Sequence, residues 1–263
     1  VQTTAAANFG GTSATASVTL TGVTAGNRIQ VFCFGWGGPN YPNFSVSDGT
    51  AYSLAGRSQA GVAGGLITAE IHYLENVASG THVITATHSS TSGNRYGWIA
   101  AQEVSGGKTS GSLMSACTGD GTTGTSTTTT PAVTAAAATS APGMVVTCLD
   151  ANVGSSDAGV DAANGSSLTW ANAIVQQDNY AEAAGSGDTA RVGSGVTPTC
   201  NWGTLSAANR CAAIMVVFED ASGGAQALAG DAVGSAQAQA ALAVAKVLQG
   251  AATAGATALA DIT

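Results

Sequence analysis

The feature that most constrains this chain is a segment that is apolar on both sides at once. Across Ile29–Trp36, one side of an extended backbone carries Ile29, Val31, Cys33 and Gly35, and the other carries Phe32, Phe34 and Trp36. A strand of that kind lies inside a sheet and is covered on each face. Around it, up to Ala221, the chain reads as short alternating segments cut by Gly, Ser, Asn and Asp. Ala14–Leu20, Thr68–Leu74, Thr81–Thr87 and Tyr96–Val104 are expected strands, and Ala25-Gly26-Asn27 is a turn. In Thr68–Leu74, Ala69, Ile71 and Tyr73 share one face, and Glu70 and His72 share the other. No stretch in this part has a helical stripe closed by capping residues.

The second half echoes the first. A Thr-rich strand over Thr127–Thr134 and a turn at Ser140-Ala141-Pro142-Gly143 precede a buried strand, Met144–Leu149. Ile29-Gln-Val-Phe-Cys-Phe aligns with Met144-Val-Val-Thr-Cys-Leu, which sets Cys33 opposite Cys148. The halves also end alike, at Trp98-Ile-Ala-Ala-Gln-Glu-Val and Ile214-Met-Val-Val-Phe-Glu-Asp. The expected fold is all-β: an antiparallel, jelly-roll-like β-sandwich over residues 1–222, with two similar halves around one core, in preference to two separate small sandwiches that would each have a thin core. A repetitive Ala/Gly-rich assembly segment over residues 223–263 follows it.

In that last segment even positions are small or apolar, as in Leu228, Gly230, Ala232, Ala240, Leu242 and Val244, with Lys246 the interruption. Odd positions carry most of the polar groups, including Asp231, Ser235, Gln237 and Gln239. This is the period of a strand with one buried face. Leu228-Ala-Gly-Asp-Ala also returns as Leu248-Gln-Gly-Ala-Ala. Local propensity favours a helix over Ser235–Gln249, with Ala240, Val244, Val247 and Leu248 as its stripe. In either form the segment has too few large side chains to order itself alone, so neighbouring subunits are expected to complete it.

Charge excludes several functions. Of 263 residues only 8% are charged, with 7 Lys and Arg against 15 Asp and Glu and a net charge of −8. No basic patch is available to neutralise a row of phosphates, so no nucleic-acid partner is expected. A polybasic membrane anchor is equally absent. The longest uncharged stretch, Gly121–Leu149, is mostly Thr and Ala with Pro131 and Pro142, so no membrane insertion is expected. A chain that opens on Val1 rather than methionine reads as trimmed or processed.

The candidate sites are few. The loop Trp36-Gly-Gly-Pro-Asn-Tyr41-Pro-Asn-Phe44 sets three rings among turn-formers, and Trp36, Tyr41 and Phe44 could stack on sugar faces. Trp170, Tyr180 and Trp202 could contribute in the same way. The competing reading has these rings cap the ends of the sandwich or meet a neighbouring subunit. Asp150, Asn152, Asp157 and Asp161 put oxygen ligands on one Gly-rich loop, a calcium candidate, although Gly154 occupies the fifth position and no Glu closes the loop. Asx turns explain the same residues without a metal. Glu70 and His72 share one strand face, and His82 and His88 share the parity of theirs. Solvated or hydrogen-bonded strand histidines are the simpler reading than a surface metal site, so no metal or cofactor is expected. Cys200 and Cys211 flank a short polar loop and could bridge a hairpin in an oxidising compartment; the alternative is that all five cysteines are small buried hydrophobes. No GxSxG, HExxH or P-loop pattern occurs, so an enzyme is not expected.

On these patterns the Thr/Ala/Gly-rich sandwich resembles lectin-like jelly-roll modules of bacteriophage tail-fibre and virion-surface proteins and of some secreted bacterial proteins. The Leu-x-Gly-x-Ala tail resembles low-complexity segments of phage virion proteins. The resemblance implies a homo-oligomeric structural protein, trimeric or polymeric, on a virion surface, with other virion proteins as partners and a capacity for glycan. The expected function is therefore a tail-fibre-like or surface-decorating component. The rival expectation is a carbohydrate-binding module or adhesin of a secreted, extracellular protein.

Overall fold

The structure, a computed structural model, describes residues 4–9, 13–37, 40–62, 65–89, 96–151, 168–177, 184–202, 204–205 and 208–221. All of them belong to one compact unit, Val1–Gly223. The repetitive segment at 223–263 lies outside the described residues. Among the described residues the elements are strands apart from a 3-10 turn at Ser115–Cys117, and no helix is long and apolar enough to cross a membrane.

The first half makes two antiparallel sheets. The inner one has five strands in the order β1 (Thr4–Asn8), β8 (Tyr96–Val104), β3 (Arg28–Trp36), β6 (Ile67–Leu74) and β5 (Ser53–Ala60). The outer one has three, β2 (Thr15–Val23), β7 (Gly80–His88) and β4 (Phe44–Ser47). The second half repeats the plan. Its inner sheet runs β12 (Trp170–Gln177), β13 (Ala184–Val192), β11 (Gly143–Ala151), β15 (Cys211–Glu219) and β9 (Gly119–Asp120), and its outer ribbon pairs β10 (Ala132–Thr134) with β14 (Thr199–Asn201). Exchanging β1, β8, β3, β6 and β5 for β9, β15, β11, β13 and β12 turns one inner sheet's order into the other's.

The expected all-β, antiparallel sandwich is therefore present, but doubled. The halves do not share a single core. Val18, Leu20, Val31 and Ile84 fill the space between the sheets of the first sandwich, and Val145, Leu149, Met215 and Val217 that of the second. A third core joins the two inner sheets back to back through Phe32, Phe34, Ile71, Val146, Ile214 and Phe218. Strand β5 packs on β15, and reciprocally β8 packs on β12, the counterpart of β5. That reciprocity is the mark of a two-fold interface, here made within one chain.

The echo in the sequence finds the right strands and misplaces one register. Cys33 faces the first sandwich's own core, whereas Cys148 faces the core between the sandwiches. Side chains alternate with period two, so an alignment one residue out exchanges the faces. The match of Glu103 with Glu219 does preserve the face, since Glu103 alternates with Ile99 and Ala101, and Glu219 with Met215 and Val217. The expected strand at Thr127–Thr134 shortens to Ala132–Thr134, behind Pro131, which has no N–H to give a ladder. Strands β5 and β13 are Gly- and Ser-rich, and their glycines mark close approach of the sheets. A Cβ on Gly56 would lie 2.8 Å from Ile214, and one on Gly187 2.6 Å from the ring of Phe32.

Candidate functional site

The three candidate sugar-contact rings are not brought together. Trp36 ends β3 on the side facing the second sandwich, half-buried against the core between the sandwiches, with Tyr96 5.5 Å away ring to ring. Phe44 opens β4 and is a correction to the sequence reading: it is not a loop ring but a core residue, 5% exposed, packed on Phe9 and edge-on to His88. The inner sheet separates the two. Tyr41 alone is presented outward, 37% exposed, beside exposed Asn40 and Asn43. Of the further rings, Trp202 is buried and its Nε1 donates to Ser186 Oγ at 2.6 Å. Trp170 packs on the second core, and Tyr180 lies outside the described residues.

The calcium candidate changes in the same direction. Asp150 is fully buried within β11, between Gly185 and Ala212, not on an exposed loop. Asn152, Asp157 and Asp161 lie outside the described residues. Among the described residues no cluster of His, Cys, Asp and Glu could hold a metal ion. The candidate bridge is corrected as well, because Cys200 and Cys211 are free thiols in the second sandwich's core. Burial first, and the charge of Asp150 after it, pushes the Cys211 thiol up to about 12. Cys200 is raised by burial and then by Asp188. Neither thiol is activated for exchange.

What the structure does assemble is a set of ionic ties, several of which the sequence reading missed. Glu70, with no exposure, accepts from Arg57 Nε at 2.6 Å, pairs with His72 Nε2 at 2.6 Å and receives the Phe44 N–H at 3.4 Å. One carboxylate thus joins β4, β5 and β6. The carboxylate can only accept, so His72 presents its proton from Nε2. Glu103 Oε1 accepts from Thr24 N and Asn27 Nδ2 and holds the turn into β3. Glu75 accepts from the Gly111 and Ser112 amides at 2.9 and 2.8 Å, tying the first sandwich to the connection between the halves. Ser58 Oγ donates to Asp120 at 2.7 Å across the two inner sheets. Arg28 is buried at the same junction, its guanidinium 4.0 Å over the ring of Phe218 and Nη1 3.4 Å from Ser112 Oγ. Burial lowers its pKa to about 10, partly offset by the charges of Glu75 and Asp220, so it stays cationic at neutral pH.

Asp48 and His82 form a pH-sensitive tie. Asp48 Oδ2 lies 2.5 Å from His82 Nδ1, and His82 Nε2 lies 2.9 Å from the Ala78 carbonyl. Both neighbours are acceptors, so the ring satisfies both only as imidazolium. Burial opposes that charge, yet the bonds to Asp48 and Ala78 outweigh it and hold His82 above its ordinary pKa. Burial likewise opposes the Asp48 charge, and the bonds from His82 and the Thr50 amide outweigh it and hold Asp48 below the usual carboxylate range. The sign follows from linkage. The His82 contribution is complete below about pH 6.5 and is lost as pH rises through its raised pKa; the Asp48 contribution is complete above about pH 4 and is lost as pH falls through its lowered one. Thermal unfolding followed against pH should show wild type exceeding His82→Gln most between those limits, with the difference shrinking toward pH 8. A constant difference across that range would contradict the pairing.

No family model matches the chain, and no curated protein or solved structure matches it.

Proposed function

We propose that this chain is a non-enzymatic structural protein that assembles with other subunits, as a tail-fibre-like or surface-decorating component of a bacteriophage particle. The observation that carries the reading is where the few charged groups go. Glu70, Glu75, Glu103 and Arg28 are spent on joining strands, turns and the two sandwiches to each other. The outward side of the three-stranded sheet carries Thr15, Ser17, Thr19, Ser45, Ser47, Thr81, Thr85 and Thr87 with exposed Val83 among them, and no charged residue. A rigid body braced in this way, followed by a repetitive segment with few large side chains, suits a part that holds a position in an assembly. Copies of the same chain, in threes, and other virion proteins are its partners in this reading.

Size-exclusion chromatography with light scattering on the full chain tests it. A discrete multimer is the expected result, and a monomer at the highest attainable concentration would overturn the reading. Exposed Tyr41, flanked by Asn40 and Asn43, favours a second reading as a glycan-binding module or adhesin. That reading predicts a glycan-array signal lost in Tyr41→Ala.

A further inference from the structure

A sheet edge presents unpaired backbone N–H and C=O groups unless shortness, a bulge, a charge or a proline blunts it. Most edges described in this fold are blunted. β4 has four residues and β9 two. β5 carries Arg57 and a register shift between Leu54 and Gly56, and β12 has a shift between Ala171 and Ile174. β2 differs. Its nine residues include no charge and no proline, and its pairing with β7 runs unbroken from Thr15 opposite Thr87 to Leu20 opposite His82. Over that span Ala16, Val18 and Leu20 are buried while Thr15, Ser17 and Thr19 are exposed. A register shift follows between Leu20 and Val23, so β2 offers a regular, uncharged edge with one apolar side over the six residues Thr15–Leu20.

The chain also contains a complement for it. A strand laid beside β2 needs small apolar residues toward the core, because β1 of the inner sheet packs against β2 there. On the other side it needs uncharged polar residues to continue the hydroxyl face. Between residues 235 and 244, Ala236, Ala238, Ala240, Leu242 and Val244 share one parity, and Ser235, Gln237 and Gln239 share the other with Ala241 and Ala243. No residue from 232 to 245 is charged.

We propose that the free edge of β2 accepts, as an added strand, part of the Gly224–Thr263 segment of a second copy of this chain. The proposal rests on the assembly reading above and deepens it by naming the contact. Backbone bonds along β2 supply affinity, and the alternating small residues supply register.

The test uses the full chain in three forms, wild type, Thr19→Lys and Thr87→Lys, with mass followed by light scattering against concentration. Thr19 is on the edge strand, while Thr87 faces the same way from β7, which is paired on both sides. Wild type and Thr87→Lys are expected to assemble, and Thr19→Lys to shift to monomer mass. Amide exchange across Thr15–Leu20 is expected to slow on wild-type assembly, a readout that does not depend on either variant folding. Assembly of Thr19→Lys like wild type, or unchanged exchange in β2, would overturn the edge contact and leave the assembly reading standing. Loss of assembly in both variants would place the contact on the sheet face and also overturn it. A monomeric wild type would remove both proposals.

Discussion

Replacing Gly187 with leucine is expected to lower the stability of the folded chain by at least about 3 kcal/mol, at the upper end of what overpacking a core costs. Gly187 lies in β13 between Ile174 and Cys148, and a Cβ there would sit 2.6 Å from the ring of Phe32. Phe32 is itself without exposure, in the core joining the two inner sheets, so its ring has no open space to turn into. Either the ring leaves its rotamer or the sheets part. Phe32→Ala alone should cost about 3–5 kcal/mol through lost burial and the cavity left behind. The two changes together should cost clearly less than their sum, since the space emptied by one receives the other. Urea denaturation of the three variants measures this. A Gly187→Leu chain that unfolds at the wild-type midpoint would mean that the inner sheets do not meet at this point.

The second large effect is expected at Glu70. Glu70→Leu removes the acceptor shared by Arg57, His72 and the Phe44 amide. The Arg57 side chain is 34% exposed, so water screens that leg and compensates its loss. His72 is 4% exposed and has no such recourse. Stranding its Nε2–H and the Phe44 N–H should cost about 3 kcal/mol. Removing His72 as well, in Glu70→Leu with His72→Leu, should recover much of the loss, because a buried polar pair replaced by apolar groups is often near neutral. Chemical unfolding of the single and double variants decides it. Equal destabilisation by the two would show that His72 is not held by Glu70.

The parts of this architecture that could be read in advance are those whose side chains announce their own surroundings. Strand β3 was legible because Phe32 and Phe34 oppose Val31 and Cys33, and only a doubly covered strand tolerates that. The repeat was legible in the paired segments around Cys33 and Cys148, although pattern alone could not choose between registers one residue apart. Strands β5 and β13 were not legible. Their Gly56 and Gly187 read locally as turn residues, and what makes them strand residues is Ile214 and Phe32 arriving from the other half. The same holds for Phe44. Pro42 and Asn43 before it suggest a loop, while its partners Phe9 and His88 come from distant segments. Glu70 and His72 were correctly placed on one face. That the face is buried depends on an outer sheet that brings Val18, Leu20, Phe44 and Ile84 over it from segments distant in the sequence. The ties of Arg57, Asp48, Asp120 and Arg28 to Glu70, His82, Ser58 and Phe218 carried no signal, because each partner lies in another strand elsewhere in the chain.

The claim beneath all of this is that two sandwiches of one plan are packed through their inner sheets. The most direct measurement is the nuclear Overhauser contact, in the labelled full chain, between the Ile214 side chain and the α protons of Gly56, residues 158 positions apart (214 − 56) that the fold brings together. A cross-peak there, alongside one from the Phe32 ring to Gly187, is the predicted result. Their absence, in spectra that show the contacts within each sandwich, would contradict it.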